Sequence, residues 1–182
     1  MGFWSDGIQS EPKRAYRWRL MILGVPVYTL KKVTKPSFSL TESKHAYLNH
    51  TFFFPGRVEW EEMSFSTVDP IDPDGAKNFV DMISAAGYNP PSTENDLETL
   101  SKNKSILALG NVVIEQLDDM GNVNEKWTLK NAWVKSVKFG ELDYESDDLL
   151  TYEVTLRFDW AWISVLGNAI NSGDTWNPGS AN

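Results

Sequence analysis

The 182-residue chain contains no cysteine. Disulfides, thiol nucleophiles and cysteine-based metal sites are therefore excluded. Basic residues are scarce: seventeen Lys and Arg stand against twenty-five Asp and Glu, a net charge of −8. A chain this acidic is poorly suited to gripping nucleic acid through phosphates, and anionic membranes would repel it. No apolar run reaches the ~20 residues a bilayer-spanning helix needs. The start, Met1-Gly2-Phe3-Trp4-Ser5-Asp6, has no basic segment with an apolar one behind it, so folding in a cytoplasm is expected. There is no Gly-x-Ser-x-Gly elbow, phosphate loop or dinucleotide fingerprint. His45 and His50 are the only histidines, and their spacing aligns them on neither a strand nor a helix for zinc. Asp69-Pro70-Ile71-Asp72-Pro73-Asp74-Gly75 fails the calcium-loop pattern, because Pro70 falls on the first ligand position when Gly75 is the sixth. No catalytic residue, metal or cofactor is expected, and the chain is not read as an enzyme.

What the chain does have is an ordinary globular mix, 41% apolar and 23% charged. At this length one domain is expected, burying roughly 70% of its unfolded surface. Aromatic residues reach 13%, with eight tryptophans. Large rigid rings serve either a broad β core or an interface.

The clearest pattern runs from Thr151 to Trp162. Tyr152, Val154, Leu156, Phe158, Trp160 and Trp162 fall on one face and polar residues on the other, which reads as one long strand with the apolar set in the core. Tyr16, Trp18, Leu20 and Ile22 alternate in the same way. Gly24-Val25-Pro26 then reads as a turn, with a strand resuming at Val27. From Val33 to Leu40 the pattern is weaker and broken by Pro36. Arg57–Val68 is strand-like with a change of phase between Trp60 and Met63, the mark of a bulge or of burial on both faces. Ser105–Leu117 and Val123–Phe139 are two strand-like runs about a hairpin loop, Asp118–Asn122. One helix is predicted. Ala76, Phe79, Val80 and Ile83 have the spacing of a buried stripe, with Asp72 as N-cap, Pro73 at the first position and Gly87 at the end. Asn89–Lys104 reads as a surface loop with room for a short helix. The fold class is mainly β: an antiparallel sandwich or small barrel with one flanking α-helix. Residues 1–14 and 164–182 read as tails around a domain at 15–163.

One loop stands apart. Phe52, Phe53 and Phe54 cannot all face one core from a strand, and Pro55-Gly56 should break the ladder before Arg57. If this segment projects, its rings form an interaction site.

These segments carry a resemblance. Pro12–Leu20, Val58–Ser66, Ala76–Ile83, Leu129–Val137, Gly140–Tyr144 and the strand from Thr151 to Trp160 follow an order and spacing similar to the tail tube proteins of contractile-tailed bacteriophages and related contractile injection systems. The first dozen residues and the last twenty have no counterpart. The resemblance implies a hexameric ring with a continuous inner β-barrel. Rings would stack into a conduit inside a contractile sheath, with DNA passing through the lumen without specific binding. Implied partners are other copies, the sheath protein, and baseplate and tail terminator proteins; the implied location is the virion tail. A tube initiator or a tail terminator shares this fold and stands as the alternative. Phe52–Arg57 is the candidate contact between rings, and Glu59 and Glu61 are candidate lumen-wall residues. A monomeric sugar- or peptide-binding β module is the competing class.

Overall fold

A computed structural model of the chain describes residues 12–92 and 98–165. Along the chain run β1 (Trp18–Met21), β2 (Leu30–Val33), β3 (Phe38–Tyr47), β4 (His50–Trp60), β5 (Met63–Val68), α1 (Gly75–Ala85), α2 (Lys102–Leu109), β6 (Val112–Leu117), β7 (Val123–Lys130), β8 (Trp133–Lys138), β9 (Thr151–Arg157) and β10 (Trp160–Val165). They form two four-stranded sheets, ordered β1-β6-β7-β10 and β2-β5-β9-β8, and a separate hairpin, β3-β4. Every strand pairing is antiparallel. Neither four-stranded sheet closes into a barrel, so of the two architectures the pattern allowed, the chain adopts the sandwich.

The core is the seam between the two sheets. Leu20, Val112, Ile114 and Leu129 come from one inner face, and Met63, Phe65, Val154 and Leu156 from the other. Removing a large apolar side chain from water contributes roughly 1.5–3 kcal/mol. The strands are short, and this shared face holds them together.

The chain builds the seam by crossing from sheet to sheet, and these crossings are where sequence patterns mislead. The run from Thr151 to Trp162 is two strands. Tyr152, Val154, Leu156 and Phe158 are buried, but β9 ends at Arg157 and β10 joins the other sheet. The buried position then becomes Ala161, and Trp160 and Trp162 lie half-buried on the opposite face. Trp160 is therefore not a member of the core face, because the crossing at Phe158-Asp159 resets the alternation. The run from Val123 to Phe139 is likewise divided at Asn131, whose φ of 55° turns the chain between sheets. The phase change after Trp60 has the same cause: the chain leaves the hairpin at Glu61-Glu62 and enters β5.

Two further segments differ from their sequence patterns. Val27–Thr29 is a 3-10 turn, and β2 begins only at Leu30. Ser105–Leu109 belongs to α2, a second helix capped by Ser101, whose hydroxyl accepts from Lys104 N at 3.2 Å. In α1 the cap is Asp74 in place of Asp72, accepting from Lys77 N at 3.1 Å. The helix buries Phe79, flanked by the partly buried Ala76 and Met82; Val80 lies at the edge of this arc and is 54% exposed. Ile83 is half-buried against the groove beside α2. The expected tails lie mostly outside the described residues, although Ser164 and Val165 complete β10.

Pro55-Gly56 does not break its ladder. β4 runs through it, and the register slips between Leu40↔Val58 and Glu42↔Pro55, so two residues, Gly56 and Arg57, oppose Thr41. This is a bulge, and Thr41 Oγ1 fills it by accepting from Arg57 N at 2.8 Å. A Cβ on Gly56 would sit 2.9 Å from the Thr41 carbonyl oxygen and 2.3 Å from its hydroxyl. Gly56→Ala should therefore open the bulge while sparing the sandwich. Hydrogen exchange should show amides on both sides of it losing at least tenfold in protection, with core amides unchanged.

Candidate assembly surfaces

The β3-β4 hairpin is exposed along almost its whole length. It turns at Leu48-Asn49, where Leu48 takes a φ of 53° and is 88% exposed. Strands of ten and eleven residues reach roughly 30 Å at 3.3 Å per residue. Phe52, Phe53 and Phe54 are all exposed within β4, as are Phe38, Leu40 and Tyr47 on β3. Pro55, Gly56 and Arg57 are exposed in the bulge. The segment suspected of projecting is thus a strand of a hairpin that offers both of its faces to solvent.

The hairpin root is tied to the sandwich at several points. Trp60 packs against Phe38 at 5.3 Å and against buried Phe158 at 5.8 Å between ring centroids. Thr34 and Ser64 exchange hydrogen bonds, and Ser37 Oγ donates to Glu61 at 2.7 Å. Glu125, only 8% exposed, draws in a third element: Lys35 Nζ donates to Oε1 at 2.7 Å, Trp127 Nε1 donates at 2.5 Å, and Lys13 pairs with Oε2. Burial pushes this carboxyl up, but the hydrogen bonds from Lys13, Lys35 and Trp127 outweigh it and hold the pKa at about 2. Sequence spacing gave no sign of this hub, because its two lysines lie far from Glu125 in the chain. Glu59 and Glu61 lie exposed at the hairpin root, apart from the faces of the four-stranded sheets.

Sheet edges are the second surface. Among the described residues nothing pairs with the outer side of β1, β10, β2 or β8. Lys31 and Lys32 guard β2, and Lys135 and Lys138 guard β8; edge lysines discourage indiscriminate pairing. By contrast β10 carries no charge. The indole N–H groups of Trp160 and Trp162 are buried there without a hydrogen-bond partner among the described residues. An unpaired buried donor costs about 1–3 kcal/mol.

A half-open groove of about 580 Å3 separates α1 and α2 from β8. Its charged residues serve structure: Asp159 is held below the usual carboxylate range because hydrogen bonds from Lys102 and Asn131 outweigh its burial. Among the described residues no group of three or more His, Asp or Glu could hold a metal ion.

No protein-family model matches the chain, and no curated protein matches it by sequence. Solved structures do match. A chain of the anti-feeding prophage tube-terminating cap aligns over 91% of this chain and 100% of its own, at 16% identity and a TM-score of 0.64. One from the PVC sheath/tube terminator, an extracellular contractile injection system in its extended state, covers 87% and 100% at 18% identity and 0.64. One from the PVC sheath-tube complex covers 85% and 93% at 18% identity and 0.60. The chain has the tube-protein fold of contractile injection systems. Within this tube fold, the exposed hairpin is a feature no isolated sandwich needs.

Glu125 provides a test of the hairpin anchor. Its folded pKa of about 2 lies below the ordinary 4.5, so its contribution is complete above about pH 4.5 and is lost as pH falls through about 2. Glu125→Gln should cost on the order of 3 kcal/mol in urea unfolding at pH 7. The gap between the two proteins should close between about pH 4.5 and pH 2. A constant gap across that window would show that ionisation of Glu125 is not what stabilises the fold.

Proposed function

We propose that the chain is a structural subunit of a tail tube. The observation that carries this reading is the pair of open, even-stranded antiparallel sheets beside an unpacked hairpin. In a four-stranded antiparallel sheet the two edge strands run in opposite directions. Copies placed side by side therefore continue the antiparallel alternation without interruption. Such head-to-tail contacts close into a ring when the rotation permits. We assign ring closure to β10 of one copy meeting β1 of the next. That junction avoids the like-charged lysines of β2 and β8 and uses the uncharged β10. The hairpin, with Phe52–Arg57 along it, is assigned to the contact between stacked rings.

The finer reading is a hexameric ring in a phage-type tail, within a contractile sheath and joined to baseplate and terminator proteins. DNA would pass through the lumen without specific binding. Glu59 and Glu61 enter as lumen residues on their exposure and charge. An end protein of the tube, either initiator or terminator, is the second reading, favoured by the similarity to chains from a cap and a terminator. Negative-stain microscopy of the purified protein, with and without a nucleating end complex, tests both. Long stacks of rings are expected; single rings would identify an end protein. A monomer at every concentration, even when nucleated, would refute the tube reading.

A further inference from the structure

Strand directions place the hairpin and the acidic loops at opposite ends of the sandwich. In the β2-β5-β9-β8 sheet, Met63 pairs with Leu156 at one end and Val68 with Thr151 at the other. The hairpin leaves from the first end, after Val33 and before Met63. The loops 69–74 and 139–150 leave from the second, where Asp69 N donates to Leu150 O at 3.0 Å and joins them. About 17 Å of β5 separates the two ends, at 3.3 Å per residue.

The chemistry of the two ends is complementary. From Ser43 to Val58 the hairpin has no acidic residue; it carries Lys44, Arg57 and two histidines among exposed phenylalanines. Lys44 lies 5.5 Å from the Phe53 ring centroid and also meets Glu42 at 3.0 Å. At the other end, 139–150 has no basic residue and holds Glu141, Asp143, Glu145, Asp147 and Asp148. Apolar side chains stand out among those acids: Leu142, Tyr144 and Leu149, with Ile71 on the adjoining loop, are all strongly exposed. Each end thus pairs uncovered apolar surface with charge: the loops carry carboxylates alone, whereas the outer part of the hairpin, bounded by Glu42 and Glu59, presents Arg57 and a Lys44 paired with Glu42.

From this we infer that the Ile71–Leu142–Tyr144 end of one copy is the docking surface for the β3-β4 hairpin of a second copy. The inference rests on the tube reading and names the receiving partner for the hairpin. A head-to-tail contact between unlike ends repeats without limit along one axis, as stacked rings require. Like ends would bring acid against acid, so the same contact fixes polarity.

The absence of native cysteine makes cross-linking a direct test. The double variant Phe53→Cys/Leu142→Cys pairs two exposed positions from opposite ends, and Phe53→Cys/Leu107→Cys uses an exposed position on α2 as control. Far-UV circular dichroism checks that both fold. After mild oxidation of assembled protein, the first pair should give a disulfide-linked ladder on a denaturing gel, at least tenfold stronger than the control. If wild-type rings stack but the first pair gives no ladder, or none above the control, this docking surface is wrong and the tube reading stands. If the wild type never stacks, the tube reading falls and this inference falls with it.

Discussion

Every edge strand presents backbone N–H and C=O groups that some acceptor or donor must satisfy, and this constraint organises the molecule. Two antiparallel sheets facing each other solve the core problem completely, but they leave four edges. The chain treats these edges unequally. Lysines line β2 and β8, whereas β10 is uncharged and bears two tryptophans with unpartnered indole N–H groups. Such asymmetry makes sense if some edges must stay wet and others must pair. A fold whose core is complete and whose margin is not is suited to repetition.

The sequence was most legible where a segment stays within one sheet. Tyr152, Val154 and Leu156 alternate cleanly because β9 has one buried face and one wet face. It failed where the chain crosses between sheets, since alternation continues through Arg157–Trp160 even as the inner face changes hands. A crossing needs only a residue or two, too few to disturb a period of two. Helix α2 was hidden for another reason: Ile106, Leu107 and Leu109 mimic a strand pattern, and only the Ser101 cap marks a helix start. The stripe on α1 is centred on Phe79, Met82 and Ile83 with Val80 at its edge, an orientation set by packing against the sheets that spacing alone leaves open. The exposure of the phenylalanine run was legible from its own chemistry, but its being a strand with a bulge was not. That depends on Thr41, a partner on the opposite strand.

Electrostatics divides into local ties and a long-range pattern. The Glu125 hub is local and shielded. It joins the segment before β1, the hairpin root and β7, so the hairpin leaves the sandwich at a defined place. On the outward face of the β2-β5-β9-β8 sheet, charges are paired, as between Lys138 and Glu153 at 3.4 Å and between Lys135 and Glu62. Net acidity therefore does not lie evenly over the sheets; much of it collects in the loops at one end. A charge of −8 spread uniformly would repel every neighbour equally, but a segregated charge repels like ends and attracts unlike ones.

Segregation also bears on why the hairpin tolerates so much exposed aromatic surface. Two features limit its promiscuity. The bulge at Gly56-Arg57 strengthens the local twist, and a twisted ribbon is a poor template for edge-to-edge growth. Arg57 places an exposed cation beside the rings, and Lys44, paired with Glu42, places a second, so an acidic apolar partner suits this face better than a basic one. A flat hairpin without the bulge or those cations would be a readier template for an open strand. The bulge and the two cations narrow the acceptable partners to a surface that combines uncovered apolar side chains with carboxylates, and the chain carries such a surface at its own far end.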